Sequence, residues 1–306
     1  MKRILVVGSL NIDLTLPVAR LPKPGETVLA GQLAFAGGGK GANQAAAAAR
    51  LGGSVRMLGC VGTDIFAETV LDSLSLAGVD ISRIARQAEL PTGTAVVCVE
   101  PGGENAILVS PGANAACTTE YLQANDDAFL ACDFLLLQCE IPLNAVWYAI
   151  ERAHALGKTV LLNPAPAPEG IPPAILAQVD YLIPNETELI RLAPRSPDGD
   201  ASLTSIARQL LQQDVGHILV TLGAGGALLL HPAGQQVFPT FPVKTVDTTA
   251  AGDCFNGAFA VALAEGRPLP EAILFAHAAA ALSTTRHGAQ PSLPSRAQAE
   301  ALLAEA

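Results

Sequence analysis

Short apolar runs alternate with stretches of helical period along most of this chain. Residues 4–7, 55–61, 134–138, 159–162, 181–183 and 218–221 are near-continuous aliphatic runs of strand length. Runs of that kind read as strands buried on both faces of a parallel sheet. Between them, 42–51, 65–77, 143–156 and 203–213 space their apolar residues as helices do, and the first three stop at Gly52-Gly53, Gly78 and Gly157. Glycine is the residue that most easily closes a helix in the left-handed conformation. The alternation predicts an α/β fold, a doubly wound and mostly parallel sheet flanked by helices.

Two segments break the alternation. Residues 14–35 carry a Pro22-Lys23-Pro24-Gly25 turn between strand-like halves, and 94–100 and 106–109 flank Pro101-Gly102-Gly103 in the manner of a hairpin. Two β insertions in one α/β domain predict a small separate sheet, either surface decoration or a lid over a site. The expected division is 1–11, 37–90 and 112–306 for the α/β body, with 12–36 and 91–111 forming the β-sheet lid.

Composition narrows the class. The chain has 306 residues, half of them hydrophobic, enough for a large core in one domain or one plus a smaller one. Its apolar runs are too short to cross a bilayer. Residues 1–8 begin like a signal peptide, but Asn11 and Asp13 interrupt the apolar stretch, so a buried first strand is the reading. The expectation is a soluble, cytoplasmic protein with no membrane partner. Six cysteines form no Cys-x-x-Cys pair and lie mostly in apolar runs, which reads as reduced buried thiols rather than a zinc site. Eighteen Lys and Arg against 28 Asp and Glu give a net charge of −10, with no basic run. That disfavours nucleic acid as a partner. It leaves room for a phosphate ligand, because backbone N–H groups and Mg²⁺ can supply the positive field.

Candidate chemistry follows from position. Ligands of an open parallel sheet bind beyond the carboxyl ends of its strands. Here those ends lead into Asn11 and Asp13, Glu140, Asn163, Asn185-Glu186 with Glu188, and Gly223-Ala224-Gly225-Gly226. Jointly they outline one crevice. Gly37-Gly38-Gly39-Lys40-Gly41-Ala42-Asn43 opens an Ala-rich helix but is no P-loop, since Ala34 and Gly41 stand where that motif needs Gly and Ser or Thr. It reads as backbone that lets a ligand reach a helix N-terminus, or as a tight turn. Gly223-Ala224-Gly225-Gly226 precedes another strand rather than a helix, so it is no dinucleotide fingerprint. A nucleotide platform and a plain hairpin turn both remain open there.

The sharpest site is Asp247-Thr248-Thr249-Ala250-Ala251-Gly252-Asp253, followed by Phe255, Ala258, Phe259 and Ala262 at helical spacing. A helix starting near Gly252 would point the N–H groups of Ala250 to Asp253 at an anion and set Asp253 beside it. The plainer alternative is that Asp253 only complements the helix dipole. His277 stacks on a base or simply packs in its helix.

Taken in order, several motifs resemble one family. They are Gly8-Ser9-Leu10-Asn11-Ile12-Asp13, Gly38-Gly39-Lys40-Gly41-Ala42-Asn43-Gln44, Asn163-Pro164-Ala165-Pro166-Ala167, Pro184-Asn185-Glu186-Thr187-Glu188, the stretch ending at Asp253, and Gly288-Ala289-Gln290-Pro291-Ser292. With these the chain resembles, over essentially its whole length, the ribokinase branch of the PfkB-type carbohydrate kinases. The resemblance implies ATP-dependent phosphorylation of the primary 5-hydroxyl of D-ribose, with Asp253 as base and Ala250, Ala251 and Gly252 lining an anion hole. Asn11, Asp13, Gly39, Lys40, Asn43 and Glu140 would contact the sugar. Thr221, Gly223, Gly225, Gly226, Gly252, Asn185 and His277 would border the nucleotide. Glu188 and Asn185 would position Mg²⁺ through water. Asp247, Thr249, Ser283, Arg286, Gly288 and Ser292 match a loop for an activating K⁺, partly through carbonyls. The lid would also form a homodimer contact.

One departure is that many relatives have Gly where this chain has Ala250. Ala is acceptable there at negative φ, which is the expectation at a helix start. Rival readings are a same-family kinase for 2-deoxyribose, fructose or a nucleoside, and a non-catalytic sugar-responsive protein, which would need no base. A dehydrogenase is disfavoured because no strand–GxGxxG–helix unit occurs.

Overall fold

The structure is a computed structural model that describes residues 2–101, 105–193 and 202–305. Fourteen strands are found among them. Eight form the main sheet: β1 (Arg3–Val7), β4 (Ser54–Leu58), β9 (Phe134–Leu137), β10 (Thr159–Leu162), β11 (Tyr181–Leu182), β12 (His217–Thr221), β13 (Ala227–His231) and β14 (Gly234–Phe238). Four form a second sheet: β2 (Asn11–Pro17), β3 (Ala34–Gly38), β7 (Gly93–Val99) and β8 (Asn105–Ser110). The last two, β5 (Cys60–Val61) and β6 (Ala85–Arg86), pair with each other.

The main sheet runs in the order β14-β13-β12-β11-β10-β9-β1-β4, parallel from β4 to β12, with an antiparallel hairpin at the β14 edge. Alternation along the strands feeds two cores. Ile4, Val6, Leu136, Leu161 and Leu219 pack on one face against the helices Lys40–Arg50, Ala251–Ala264 and Leu269–Ser283. Leu5, Val7, Leu135, Leu137, Val160 and Val220 pack on the other against Leu143–Ala155, Glu186–Leu192 and Leu203–Leu211. Burial on both sides is why these strands are aliphatic throughout.

The second sheet has the order β3-β2-β7-β8. It is built from the two segments that broke the alternation, although the turn at Pro101-Gly102-Gly103 lies partly outside the described residues. The strand expected over 55–61 is two. Gly59 separates them because its N–H donates to the Tyr121 hydroxyl at 2.9 Å and its carbonyl accepts from it at 3.0 Å. The chain then leaves the main sheet to pair Cys60 with Ala85. Among the described residues no helix is long and apolar enough to cross a membrane.

Candidate active site

Helix Ala251–Ala264 brings the site together through what it packs on. One turn past Asp253 is Gly257, where a Cβ would lie 2.6 Å from the Gln44 carbonyl and 2.8 Å from the Ala47 Cβ. Glycine there, facing the Ala-rich helix Lys40–Arg50, lets the two helices nearly touch. The close approach puts Asn43 and Gln44 against the Asp253 carboxylate. Asn43 Nδ2 donates to Oδ2 at 3.0 Å and Gln44 Nε2 to Oδ1 at 3.0 Å. Behind them Gln138 Nε2 donates to Gln44 Oε1 at 2.7 Å, and Gln44 Nε2 also reaches Asn163 Oδ1 at 3.1 Å. Asp253 is 7% exposed and Gln44 is fully buried. Burial raises the Asp253 carboxyl above its ordinary pKa, while Lys40 and the two amides work to lower it.

The start of this helix differs from expectation. Ala250 is its N-cap at φ 58°, ψ 13°, in the left-handed region rather than at negative φ. Around it Ala251 N–H turns back to Thr248 O at 3.2 Å and Cys254 N–H donates to Ala250 O at 2.8 Å, the first bond of the helix. Because Ala251 N–H is committed, the free donors are those of Ala250, Gly252 and Asp253, which bond to none of the described residues.

On one side of Asp253 lie the residues that follow β1. Asn11 is buried, and its Oδ1 accepts from Asn114 Nδ2 at 2.7 Å, while Asn114 Oδ1 holds Leu10 N–H at 2.8 Å. Gly93 leaves room for this pair, since a Cβ there would sit 2.2 Å from Asn11 Oδ1. Gly38 does the same for Asp13, whose carboxylate would lie within 2.1 Å of an added Cβ. Gly39, at φ 86°, turns the chain into the helix at Lys40. Glu140 Oε2 caps that helix, accepting Lys40 N–H at 3.1 Å and the Ser9 hydroxyl at 2.5 Å. Four carboxylates thus surround Lys40. Burial pulls the ammonium pKa down, but Asp253, Glu140, Glu188 and Asp13 outweigh it and the net shift is upward. Asp13 is pushed up to about 7 by burial and then by Glu140 and Asp253.

On the other side is a cavity of about 830 Å³. Its walls include Lys40 and the stretch from Ala250 to Asp253, then Asn185 and Glu188, and at the far end Thr221, Gly223, Gly226 and His277. Gly225 does not line it; its N–H donates to Leu222 O in the turn that joins β12 to β13. That turn is a hairpin, and its Gly223 and Gly226 also line the cavity. His277 is 4% exposed and edge-on to Phe255. Burial lowers its pKa to about 4, which keeps the ring neutral, and its Nε2 has no partner among the described residues. Asn185 caps the helix Glu186–Leu192 in a reciprocal pair with Glu188. Burial raises the Glu188 carboxyl.

Behind the N-terminus of helix Ala251–Ala264, Asp247 ties two loops. Its Oδ1 accepts Thr249 N–H at 2.8 Å and its Oδ2 accepts Gly288 N–H at 2.8 Å. Val246 N–H and Asp247 N–H both reach Thr284 O. Ser283 and Ser292 are buried and donate to Ala280 O and Ala289 O, each at 2.8 Å. Arg286 is exposed.

Sequence reasoning missed Asn114, Gln138 and the cavity wall at Phe241, Pro242 and Val243. Gln44 and Gln290 were legible only as parts of motifs.

The chain is similar to carbohydrate kinases. A family model described as pfkB family carbohydrate kinase matches residues 1–296. A ribokinase from Haemophilus influenzae is 37% identical, over 96% of this chain and 96% of its own length. A deoxyribokinase from Salmonella typhi is 36% identical, over 95% of each chain. The structure of an Arabidopsis thaliana ribokinase complexed with ribose and ATP superposes with a TM-score of 0.91 and 34% identity, covering 99% of this chain and 98% of that one.

Proposed function

The chain belongs to the pfkB family of carbohydrate kinases, and from that premise we propose that it transfers the terminal phosphoryl group of ATP to the 5-hydroxyl of D-ribose, with Asp253 as general base. The observation that carries this reading is the placement of Asp253. It is a buried carboxylate held by two amide donors, in the first turn of a helix with free N–H groups, lining the 830 Å³ cavity and close enough to Asp13 and Glu140 to feel their charge. Ribokinases among the relatives, one of them complexed with ribose and ATP, support ribose as acceptor. The experiment is ADP release over ribose, 2-deoxyribose, fructose and nucleosides. Ribose should give the highest kcat/KM, and a higher value for any other acceptor would overturn the choice of sugar.

Each residue then has a step. The sugar hydroxyl oxygen attacks the γ-phosphorus, the bond to ADP breaks, and the hydroxyl proton passes to Asp253. Asn43 and Gln44 keep the carboxylate aimed at that oxygen. The N–H groups of Ala250, Gly252 and Asp253 donate to the phosphoryl oxygens as charge builds on them. Lys40 neutralises the same region from the opposite wall. Asn11, Asp13 and Glu140 orient the sugar, and positioning of this kind accounts for much of the rate in phosphoryl transfer. Gly223 and Gly226 offer backbone, and neutral His277 an aromatic edge, to the nucleotide.

Mg²⁺ fits as a companion of the phosphates rather than as a caged ion. Among the described residues no group of three or more His, Cys, Asp or Glu converges on one point, while Glu188 and Asn185 face the cavity. An octahedral ion that keeps its waters needs little more. Bound there, it would neutralise phosphate charge. The loop at Asp247, Thr249, Ser283, Arg286, Gly288 and Ser292 suits K⁺ because its donors are oxygens. The buried hydroxyls of Ser283 and Ser292 send their protons to carbonyls and keep lone pairs available. Equal rates in K⁺, Na⁺ and a bulky organic cation at fixed ionic strength would remove this site.

The second sheet, made of β2, β3, β7 and β8, acts as the lid, since β2 supplies Asn11 and Asp13 directly. Its Phe35, Ile107 and Leu108 are 60%, 54% and 73% exposed, and an apolar patch of that kind suits a homodimer contact. A monomeric mass by light scattering at micromolar concentration would contradict that.

A further inference from the structure

Gln290 sits in the turn Gln290–Ser292 near the end of the chain, 4% exposed, with both ends of its side chain engaged. Nε2 donates to Asn43 Oδ1 at 3.3 Å, across 247 positions of sequence. Oε1 accepts from the Ser73 hydroxyl at 2.5 Å. The Gln290 carbonyl accepts from Arg50 Nη1 at 3.2 Å. Gly37, at the end of β3, leaves space for this junction, since a Cβ there would lie 3.2 Å from Gln290 Oε1. One side chain therefore joins two helices, at Asn43 and Ser73, to the loop that also contains Gly288, and packs beside Gly37 of β3.

The consequence runs through Asn43. Its Nδ2 is spent on Asp253 Oδ2 and its Oδ1 on Gln290. An amide so held has one orientation, with the N–H group toward the carboxylate. Turned over, it would present its oxygen to Asp253, and two acceptors would face each other. Gln290 opposes this while its Oε1 takes the Ser73 hydroxyl proton, which leaves its donor Nε2 facing Asn43.

We propose that Gln290 is a positioning residue for phosphoryl transfer, fixing the Asn43 amide so that its N–H group supports Asp253 as the proton acceptor. The proposal rests on the reading of Asp253 as base. The charged and titratable groups that face Asp253 are Lys40 and Glu140, with Asp13, Glu188 and Cys254 alongside. None of them touches Gln290 through a hydrogen bond among the described residues. Arg50, which donates to the Gln290 carbonyl and acts on Cys254, is the other charged group at this junction, so the direct route from the Gln290 side chain to Asp253 runs through Asn43.

Two substitutions separate orientation from packing. Gln290→Glu keeps the shape and, once ionised, offers Asn43 only acceptors, which favours the turned amide. Gln290→Met keeps the bulk and offers nothing. The measurements are kcat and the KM for each substrate against pH, with thermal melting alongside. For Gln290→Glu, kcat at pH 7 should fall about 10- to 100-fold, within the range that a misaligned base costs. Its acid limb should move up by about one pH unit, as expected for a carboxylate that loses a donor and gains a like charge. Gln290→Met should lose about 3- to 10-fold with a smaller shift of the limb in the same direction. The KM for ATP should stay within about twofold in both, because the nucleotide cavity is untouched. Wild-type acid limbs in both variants would overturn the proposal, as would losses that track melting temperature with no movement of the limb. If Gln290→Glu does not fold, the limb of Gln290→Met decides alone. Asp253→Asn is measured in the same series. If it keeps turnover, the base reading fails; if it loses turnover while the Gln290 variants behave as wild type, only the role of Gln290 fails.

Discussion

Gln44 Nε2 and Asp253 Oδ1 are joined by a 3.0 Å hydrogen bond across 209 positions of sequence. Gln44 is fully buried, and the same amide also serves Asn163 and Gln138. Gln44→Met fills the space and removes every one of these contacts. Gln138 Nε2 and Asn163 Oδ1 would then lose their partners in the core, at about 1–3 kcal/mol for each buried group left unsatisfied. Denaturant unfolding should show a loss of about 2–6 kcal/mol for the two groups, and kcat should fall with it because one oxygen of Asp253 is no longer held. Unchanged stability would mean that the network is not under tension from burial.

The parts of this fold that were legible in sequence are those with a local signal. Aliphatic runs marked β1, β9, β10 and β12, because strands buried on both faces need no alternation. The helix after Asp253 was legible from Phe255, Ala258, Phe259 and Ala262. What could not be read were contacts made across the chain. Nothing near Asn114 announces that it holds Asn11 from 103 positions away, and nothing near Gln290 announces Asn43. Gly59 looked like an interior strand residue, and the Tyr121 hydroxyl, 62 positions on, together with the Ala85 N–H, takes its backbone groups at the break. The left-handed backbone at Ala250 was also hidden, since alanine gives no local reason to expect it.

Asp13 gives the free enzyme a stability that depends on pH. Its carboxyl titrates from 3.8 in the reference state and about 7 in the folded protein, raised by burial and then by Glu140 and Asp253. Between those values the native state keeps a proton that the unfolded chain has released. The contribution is complete below the lower value and is lost as pH rises through the upper one. Buried Asp253 and Glu188 shift the same way. The melting temperature of the ligand-free protein should therefore fall between about pH 5 and 7, and Asp13→Asn should flatten that slope. An equal slope in the variant would show that Asp13 is ionised throughout.

Ala250 holds φ 58° at the mouth of the free N–H groups. A left-handed residue with a Cβ costs roughly 1–2 kcal/mol, which glycine avoids, although glycine also loosens the unfolded chain by about 0.5–1 kcal/mol. Ala250→Gly should thus raise the melting temperature slightly. Calorimetry that found it lower would mean that the methyl group packs usefully enough to offset the strain.

The central claim is that Asp253 takes the proton from the sugar hydroxyl, and Asp253→Asn tests it most directly. The carboxamide keeps the shape and still meets the helix N-terminus but cannot accept a proton. Binding of ribose and of ATP, followed by calorimetry, should persist, while single-turnover formation of ribose 5-phosphate should slow by about 10²- to 10⁴-fold. A rate within about threefold of the unmodified enzyme, with both substrates bound, would contradict the account, because general-base catalysis contributes far more than that.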